Sequence, residues 1–173
     1  INKLFLVASK RSAGKNIFFK RKKIQIEALD NYDFSKAQIT FFAAGSAVAK
    51  KWAPIASKQT IVIDNSKYFR MNKNISLVVP EVNEHVLKDY KKTNIIANPN
   101  CSTAQLVVAL KPLHDKFKIK RVVVSTYQAV SGAGKAPMDE LFSQTKDFLN
   151  GKKIKSKNFT KQIAFNLIPH IDQ

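Results

Sequence analysis

Apolar residues in the first hundred positions come in short blocks that polar loops separate. Five of these blocks have the length of strands, namely residues 4–8, 24–26, 39–43, 60–63 and 95–97. A shorter apolar run at 77–79 precedes a proline, and residues 47–56 and 83–90 have helical spacing between the strands. Strands that are largely apolar and alternate with helices indicate a parallel sheet covered on both faces. We therefore predict an α/β fold built on a parallel sheet with helices on both faces.

The residues after 100 follow a different pattern. A helix is expected to begin at residue 101 and to end near 110 or 113, and the apolar block 121–127 predicts a strand. A second helix is expected from 135 or 137 to 149, and residues 163–168 are expected to be extended. The predicted apolar stripe of this second helix consists of Leu141, Phe142, Thr145, Phe148 and Leu149.

Composition restricts the classes of protein that fit. With 45% apolar residues among 173, the chain can bury a substantial core. A single cysteine excludes a disulfide scaffold and suits a reducing compartment, so we expect a cytoplasmic protein. Apolar runs fall far short of the roughly 20 residues that cross a membrane, and we expect neither a membrane contact nor a bound metal.

The net charge of +18 makes a basic nucleic-acid-binding protein the alternative from another functional class. However, arginine occurs only as Arg11, Arg21, Arg70 and Arg121, and the remaining basic residues are scattered lysines. Surfaces that clamp phosphate favour arginine, whereas an AT-rich coding sequence yields abundant Lys, Ile and Asn. We therefore interpret the basic residues as solvated and expect no nucleic-acid partner. A steep salt dependence of DNA affinity would favour the alternative.

The only cysteine, Cys101, follows an Asn-Pro-Asn turn and precedes a helical pattern. Asn100 is expected to cap this helix. The unpaired N–H groups and the dipole at a helix N-terminus favour an anion, and a thiol placed there favours its nucleophilic thiolate form. A lone cysteine is more often a small buried apolar residue, so the hypothesis of a nucleophile depends on this placement.

Small polar loops follow three of the predicted strands. They are residues 9–15, Gly45 with Ser46, and Asn65 with Ser66. In parallel sheets, ligands bind outside the carboxyl ends of the strands, and small residues let the backbone approach a phosphate. Together the three loops predict a dinucleotide site.

Two longer motifs then carry a family resemblance. Residues 98–103 read Asn-Pro-Asn-Cys-Ser-Thr, and residues 125–134 read Ser-Thr-Tyr-Gln-Ala-Val-Ser-Gly-Ala-Gly. With these motifs the chain resembles the aspartate-semialdehyde dehydrogenase family. The resemblance implies that residues 1–97 are part of an NADP-binding Rossmann-type domain and that 98–173 begin a catalytic and dimerisation domain. Three upstream segments fit the same family in the same order: residues 8–15, 64–71 and 79–83.

The resemblance implies an NADP-dependent oxidoreductase that makes aspartate 4-semialdehyde from 4-aspartyl phosphate through a cysteine thioester, in lysine (diaminopimelate), threonine and methionine biosynthesis. Cys101 then matches the nucleophile, and Gln128 matches the residue that positions the substrate beside it. Substrate and phosphate contacts are expected at Arg70, Asn100 and Gln128, and the full-length protein is expected to be a homodimer. The expected cofactor contacts are Arg11 and Ser12 at the 2′-phosphate, Gly45, Ser46 and Ser66 in the strand-end loops, and Ser131 and Gly132 at the nicotinamide.

The resemblance also implies that parts of the enzyme lie outside these residues. The family's Gly-rich loop would precede the chain, and its substrate-binding Arg and acid/base His would follow it. His114 would lie roughly 20 Å from Cys101 on a continuous helix, His85 is expected to be solvated, and His170 is expected to be structural. We therefore expect the middle of an enzyme about twice as long, with a reactive thiol and little or no turnover by these 173 residues alone.

A related thiol-dependent acyl-phosphate reductase is the nearer alternative. N-acetyl-glutamyl-phosphate reductase and glyceraldehyde-3-phosphate dehydrogenase are examples of similar architecture. The Pro-Asn-Cys-Ser-Thr sequence around Cys101 is not their usual signature, which favours the aspartate-semialdehyde dehydrogenases.

Overall fold

The computed structural model describes residues 2–169, which fold into two compact units. The first unit is Ile1–Lys120 and the second is Arg121–Gln173. The helix that begins at Cys101 therefore belongs to the first unit, whereas the sequence placed a domain boundary after residue 97. His170 lies outside the described residues. Within those residues, no helix is long and apolar enough to cross a membrane.

The first unit contains two sheets. Their strands are β1 (Leu6–Ala8), β2 (Asn16–Phe19), β3 (Lys22–Ala28), β4 (Ile39–Phe42), β5 (Ile61–Asp64), β6 (Ser76–Leu77) and β7 (Ile95–Ala97). The larger sheet has the order β4-β5-β7-β6 and is parallel throughout, as the sequence predicts. In the smaller sheet, β1 pairs in parallel with β3, and β3 pairs antiparallel with β2.

The β2–β3 hairpin was not predicted as a whole, since the sequence indicated only a short strand at 24–26. Its turn residues, Lys20 and Arg21, have φ angles of 46° and 65°. A two-residue turn with positive φ at both positions usually selects Asn-Gly. The Lys-Arg sequence at these positions therefore did not indicate a hairpin turn.

The helices are α1 (Ser46–Ala56), α2 (Pro80–Asn83), α3 (Cys101–Phe117) and α4 (Lys135–Leu149). A 3₁₀ segment, Glu84–Lys92, occupies most of the range 83–90 where a helix was predicted. Helix α3 continues past Pro112, beyond the predicted end, although an internal proline removes one N–H and crowds the carbonyl of the preceding turn. It ends where Lys118 adopts a left-handed conformation and donates its N–H to the His114 carbonyl.

Helix α1 packs on the larger sheet through small residues. Ala49, Ala53 and Ala56 are fully buried and belong to the same core as Phe42 and Val62 on the strands. Alanine side chains allow close approach between helix and sheet, which buries both surfaces and holds the strand ends in fixed positions. The loops after those strand ends are where the sequence predicts ligand binding.

In the second unit, Gln144 is the buried residue of α4, at 1% exposure. The predicted apolar stripe is wrong in part, because Phe142, Phe148 and Leu149 are exposed. Instead, the Gln144 side chain donates to the Lys155 carbonyl and accepts hydrogen bonds from the N–H groups of Ile163 and Ala164. These polar contacts bury one side of the helix, beside the ring contact between Phe148 and Phe165.

Two further predictions for this unit were wrong. Residues 121–127 form no strand, since no other backbone in the described part of the chain pairs with them, and Val123 is 81% exposed. A strand needs a hydrogen-bonding neighbour whatever its β-propensity. Residues 163–168 are not extended throughout, because Phe165 has a φ of 56° and the Asn166 N–H donates to the Ile163 carbonyl in a turn.

Candidate active site around Cys101

The carboxyl ends of β4, β5 and β7 lie at one edge of the larger sheet, because these parallel strands are neighbours. The loops after them begin near Gly45, Asn65 and Asn98. The Asn65 N–H donates to the Phe42 carbonyl at 2.9 Å, and the Asn98 N–H donates to the Asp64 carbonyl at 2.8 Å. These bonds continue the ladder beyond the strands and hold the three loops side by side.

Cys101 is the first residue of α3, and its side chain is exposed. Asn100 caps the helix as predicted, since its Oδ1 accepts a hydrogen bond from the Ser102 N–H at 2.9 Å. The Cys101 Sγ lies 4.0 Å from the same oxygen. The alternative of a small apolar cysteine buried in the core is therefore wrong. The sulfur is open to a reactant at the positive end of a 17-residue helix.

Arg70 is bonded to the turn that leads into Cys101. Its Nε donates to the Asn98 carbonyl at 2.9 Å, and its Nη2 donates to the Asn65 carbonyl at 3.2 Å. A guanidinium has five N–H donors, so three remain for another acceptor. The structure thus holds the Arg70 cation against the carbonyl of Asn98, three residues before the thiol, with donors left for an anion.

The loop after β5 is organised by Asp64, which is fully buried. Its Oδ1 accepts from the Ser66 N–H at 3.1 Å, and its Oδ2 accepts from the Ser66 hydroxyl at 2.7 Å. The Ser66 Oγ also accepts a hydrogen bond from the Tyr68 N–H. Ser66, expected as a cofactor contact, is therefore buried and uses its side chain to shape the loop that carries Asn65 and Arg70.

The other expected cofactor residues of the first unit lie in two loops. Gly45 precedes α1 with a φ of 88°, and Ser46 is the first residue of the helix, which has no side-chain cap. A Cβ built on Gly45 would meet no heavy atom within 4 Å among the described residues, so the backbone is open to a ligand. Arg11 is exposed, and the Ser12 N–H donates to the Ser9 carbonyl in the turn directly after β1.

In the second unit the structure brings together Gln128 and Gly132. Ser131 and Gly132 lie in a 3₁₀ turn, Val130–Ala133. A Cβ placed on Gly132 would lie 2.6 Å from the Gln128 Nε2, which is closer than real Cβ contacts allow. The glycine therefore provides the space in which this amide lies. That Gln128 lies beside Cys101 stays a prediction, since the two residues belong to different units.

Asn65 was predicted only as part of a strand-end loop of the dinucleotide site, and Asn98 only as part of the turn before Cys101. Their side chains are joined, because the Asn98 Nδ2 donates to the Asn65 Oδ1 at 2.5 Å. The available signal was their position, since each asparagine directly follows an apolar strand of a parallel sheet. That position alone does not show that the two amides bond to each other.

Two family models match the chain. The model described as "Semialdehyde dehydrogenase, NAD binding domain" matches residues 1–90, more than half of the chain. The model described as "Semialdehyde dehydrogenase, dimerisation domain" matches residues 110–173. The helix that begins at Cys101 starts between the two matched ranges.

Individual relatives agree with these models. An aspartate-semialdehyde dehydrogenase of Shewanella sp. (strain DB6705) is 51% identical over 173 residues, which are 99% of this chain and 51% of the relative. The corresponding protein of Aquifex aeolicus (strain VF5) is 53% identical over 175 residues, with 99% and 52% covered. The crystal structure of aspartate semialdehyde dehydrogenase II complexed with ASA from Vibrio cholerae has a TM-score of 0.96 and 49% identity, over 100% of this chain and 52% of that chain. The chain thus spans about half the length of the curated relatives it matches. It belongs to the semialdehyde dehydrogenase family, and the resemblance to the aspartate-semialdehyde dehydrogenases is confirmed.

Proposed function

We propose that the protein carrying this chain catalyses the NADPH-dependent reductive dephosphorylation of 4-aspartyl phosphate to aspartate 4-semialdehyde. The observation that carries the proposal is the exposed Cys101 thiol at the first turn of α3, preceded by a turn to which Arg70 is bonded. A thiolate nucleophile and a cation for the leaving phosphate are the groups that attack on an acyl phosphate requires. The names of the similar proteins support this choice of substrate.

The first half of the reaction uses the Cys101 thiolate and the Arg70 guanidinium together. The Cys101 thiolate attacks the acyl carbon, a C–S bond forms, and the C–O bond to phosphate breaks with its electron pair on the departing phosphate. The free N–H donors of Arg70 hold that phosphate through charge-assisted hydrogen bonds. Asn100 keeps the first turn of the helix, and with it the sulfur, in position by capping Ser102.

The second half returns the sulfur to its starting state. NADPH, when bound, would supply a hydride to the thioester carbonyl, whose oxygen would take up a proton. The C–S bond of the resulting thiohemiacetal then breaks with its electron pair on the Cys101 sulfur, the oxygen gives up its proton, and the aldehyde leaves. Gln128 is proposed to hold the substrate beside the sulfur during both halves, because an amide donates and accepts hydrogen bonds without ionising.

In the first unit, the proposed contacts to NADP lie in loops that follow the carboxyl ends of strands. Arg11 and Ser12 are proposed to contact the 2′-phosphate, and Ser131 and Gly132 the nicotinamide end. Gly45 and Ser46 fit a phosphate, because the uncapped N–H groups of α1 could donate hydrogen bonds to it and the backbone at φ 88° is open to its approach. Ser66 contributes by holding the loop after β5, since its hydroxyl is bonded to Asp64.

The group that manages the proton is proposed to be a histidine from the part of the enzyme that would follow this chain. His114 is thirteen residues beyond Cys101 on the same continuous helix, roughly 20 Å away. His85 is exposed and lies in the 3₁₀ segment after α2. We therefore propose that these 173 residues alone have a reactive thiol and little or no turnover.

The active protein is proposed to be a cytoplasmic homodimer in lysine, threonine and methionine biosynthesis. The match of residues 110–173 to a dimerisation domain supports the assembly. The small-molecule partners would be aspartyl phosphate, aspartate semialdehyde and inorganic phosphate.

The test compares the isolated chain with the longer protein that carries it. NADP reduction is measured with aspartate semialdehyde and phosphate, and thiol reactivity is measured by alkylation. The longer protein should turn over and its Cys101→Ser variant should not, while the isolated chain should be alkylated at Cys101 without matching turnover. A longer protein that is inactive with these substrates would refute the function, and normal turnover by the isolated chain would refute the need for further catalytic groups.

A further inference from the structure

We propose that Asn65 and Asn98 are positioning residues that form an amide clamp, which fixes the anion-facing edge of Arg70 next to the turn into Cys101. The clamp comprises the side-chain hydrogen bond between the two asparagines and the two carbonyls of the same residues that hold Arg70. The inference rests on the proposed function, because it concerns how that site binds inorganic phosphate.

Three hydrogen bonds make the clamp a closed unit. The Asn98 Nδ2 donates to the Asn65 Oδ1 at 2.5 Å, so the loops after β7 and β5 are joined by side chains. The Arg70 guanidinium joins the same two loops through the backbone, by donating to the Asn98 carbonyl and the Asn65 carbonyl. Losing the hydrogen bond between the two side chains would let the two carbonyls move apart. The guanidinium would then shift as well, because it is bonded to both carbonyls.

The geometry of the guanidinium determines how the clamp orients the free N–H donors of Arg70. Nε and Nη2 form one edge of the planar fork, and both are engaged by main-chain carbonyls. The opposite edge, with both Nη1 donors and the second Nη2 donor, is left for an anion. The direction of that edge depends on where the two carbonyls lie, since a rigid fork turns when its anchors move.

The clamp is itself anchored to the sheet. The Asn65 N–H is bonded to the end of β4, and the Asn98 N–H is bonded to the last residue of β5. Asn98 is followed by the buried Pro99 and then by the cap residue Asn100. The backbone between the clamp and Cys101 is therefore short and held at both ends, so the cation and the thiol are positioned by the same segment.

The test is a double-mutant cycle in the longer protein that carries this chain. Asn65→Ala, Asn98→Ala and the double variant are assayed for NADP reduction, with inorganic phosphate as the varied substrate. Asn83→Ala is the matched control, because its side chain is also hydrogen-bonded at a strand end, while neither its side chain nor the two backbone groups that it bonds contact Arg70. Each single variant should raise the KM for phosphate about five- to tenfold, the scale of one lost hydrogen bond, while kcat changes by less than about twofold.

The double variant should raise the KM no further than the more affected single variant, because either substitution already opens the clamp. A KM for phosphate equal to that of Asn83→Ala, or single effects that multiply in the double variant, would overturn the proposal. If Asn98→Ala fails to fold, the exposed Asn65→Ala alone carries the comparison. An inactive wild-type protein would refute the proposed function instead, whereas an active one with unaffected variants refutes only the clamp.

Discussion

The contact between Gln128 and Gly132 gives a prediction with a magnitude that follows from the structure. In Gly132→Ala, the new Cβ would lie 2.6 Å from the Gln128 Nε2 and 3.2 Å from its Cδ. Ordinary contact begins near 3.4 Å, so the amide has to move by roughly 1 Å. A misplacement of that size can cost on the order of 100-fold in rate. Because Gln128 is an exposed and flexible side chain, the protein should fold normally while the amide is displaced.

The assay is steady-state turnover of the longer protein, with thermal unfolding as the check on folding. Gly132→Ala should lower kcat/KM by roughly 10- to 100-fold. In a Gln128→Ala background the same substitution should have almost no effect, because the displaced amide is already gone. An unchanged kcat/KM in Gly132→Ala, or an equal loss in both backgrounds, would show that the glycine does not act through Gln128.

Three further substitutions test other contacts. Arg70→Lys should raise the KM for phosphate about 10- to 100-fold, because an ammonium cannot bridge two carbonyls and still offer paired N–H donors to phosphate. The exposed Arg121→Lys is the control and should leave this KM unchanged. Equal KM values in the two variants would contradict the prediction. Gln144→Leu should lower the free energy of unfolding in urea by about 2–4 kcal/mol, since the buried Ala164 N–H, the Ile163 N–H and the Lys155 carbonyl lose their partner, while the exposed Ser143→Ala should change little. Burial raises the pKa of Glu140, but hydrogen bonds from Lys157 and Asn158 outweigh burial and hold that pKa below its usual value. The stability that ionised Glu140 adds is therefore complete above the usual glutamate pKa and is lost as the pH falls through its lowered pKa. Glu140→Gln should lower the Tm at neutral pH and flatten the fall of Tm below about pH 4.5. A plot of Tm against pH that runs parallel to that of the wild type would contradict this prediction.

Local sequence patterns are enough to predict much of the structure of the first unit. Apolar strands, the Asn100 cap and the exposed cysteine at the helix start follow from neighbouring residues, and the structure has all three. The parallel pairing followed because alternating strands and helices leave few other arrangements. The position of Cys101 was therefore predictable from sequence.

The failures occur where distant residues decide the outcome. Residues 121–127 have strong β-propensity, but no partner backbone pairs with them in the described part of the chain. Gln144 is buried because a loop eleven or more residues away supplies its partners, which helix periodicity does not reveal. The bond between Asn65 and Asn98 spans 33 positions, and only the strand order of the sheet brings the two together.

In the proposed mechanism, the sulfur of Cys101 carries the acyl group as a thioester between the two halves of the reaction. The most direct measurement is mass spectrometry of the longer protein after incubation with aspartate semialdehyde and NADP in the absence of phosphate, where the thioester has no phosphate acceptor. We expect an acyl adduct on the peptide that contains Cys101, its disappearance when phosphate is added, and no adduct in Cys101→Ser. An active protein that is never acylated at Cys101, or that keeps its turnover in Cys101→Ser, would contradict the account.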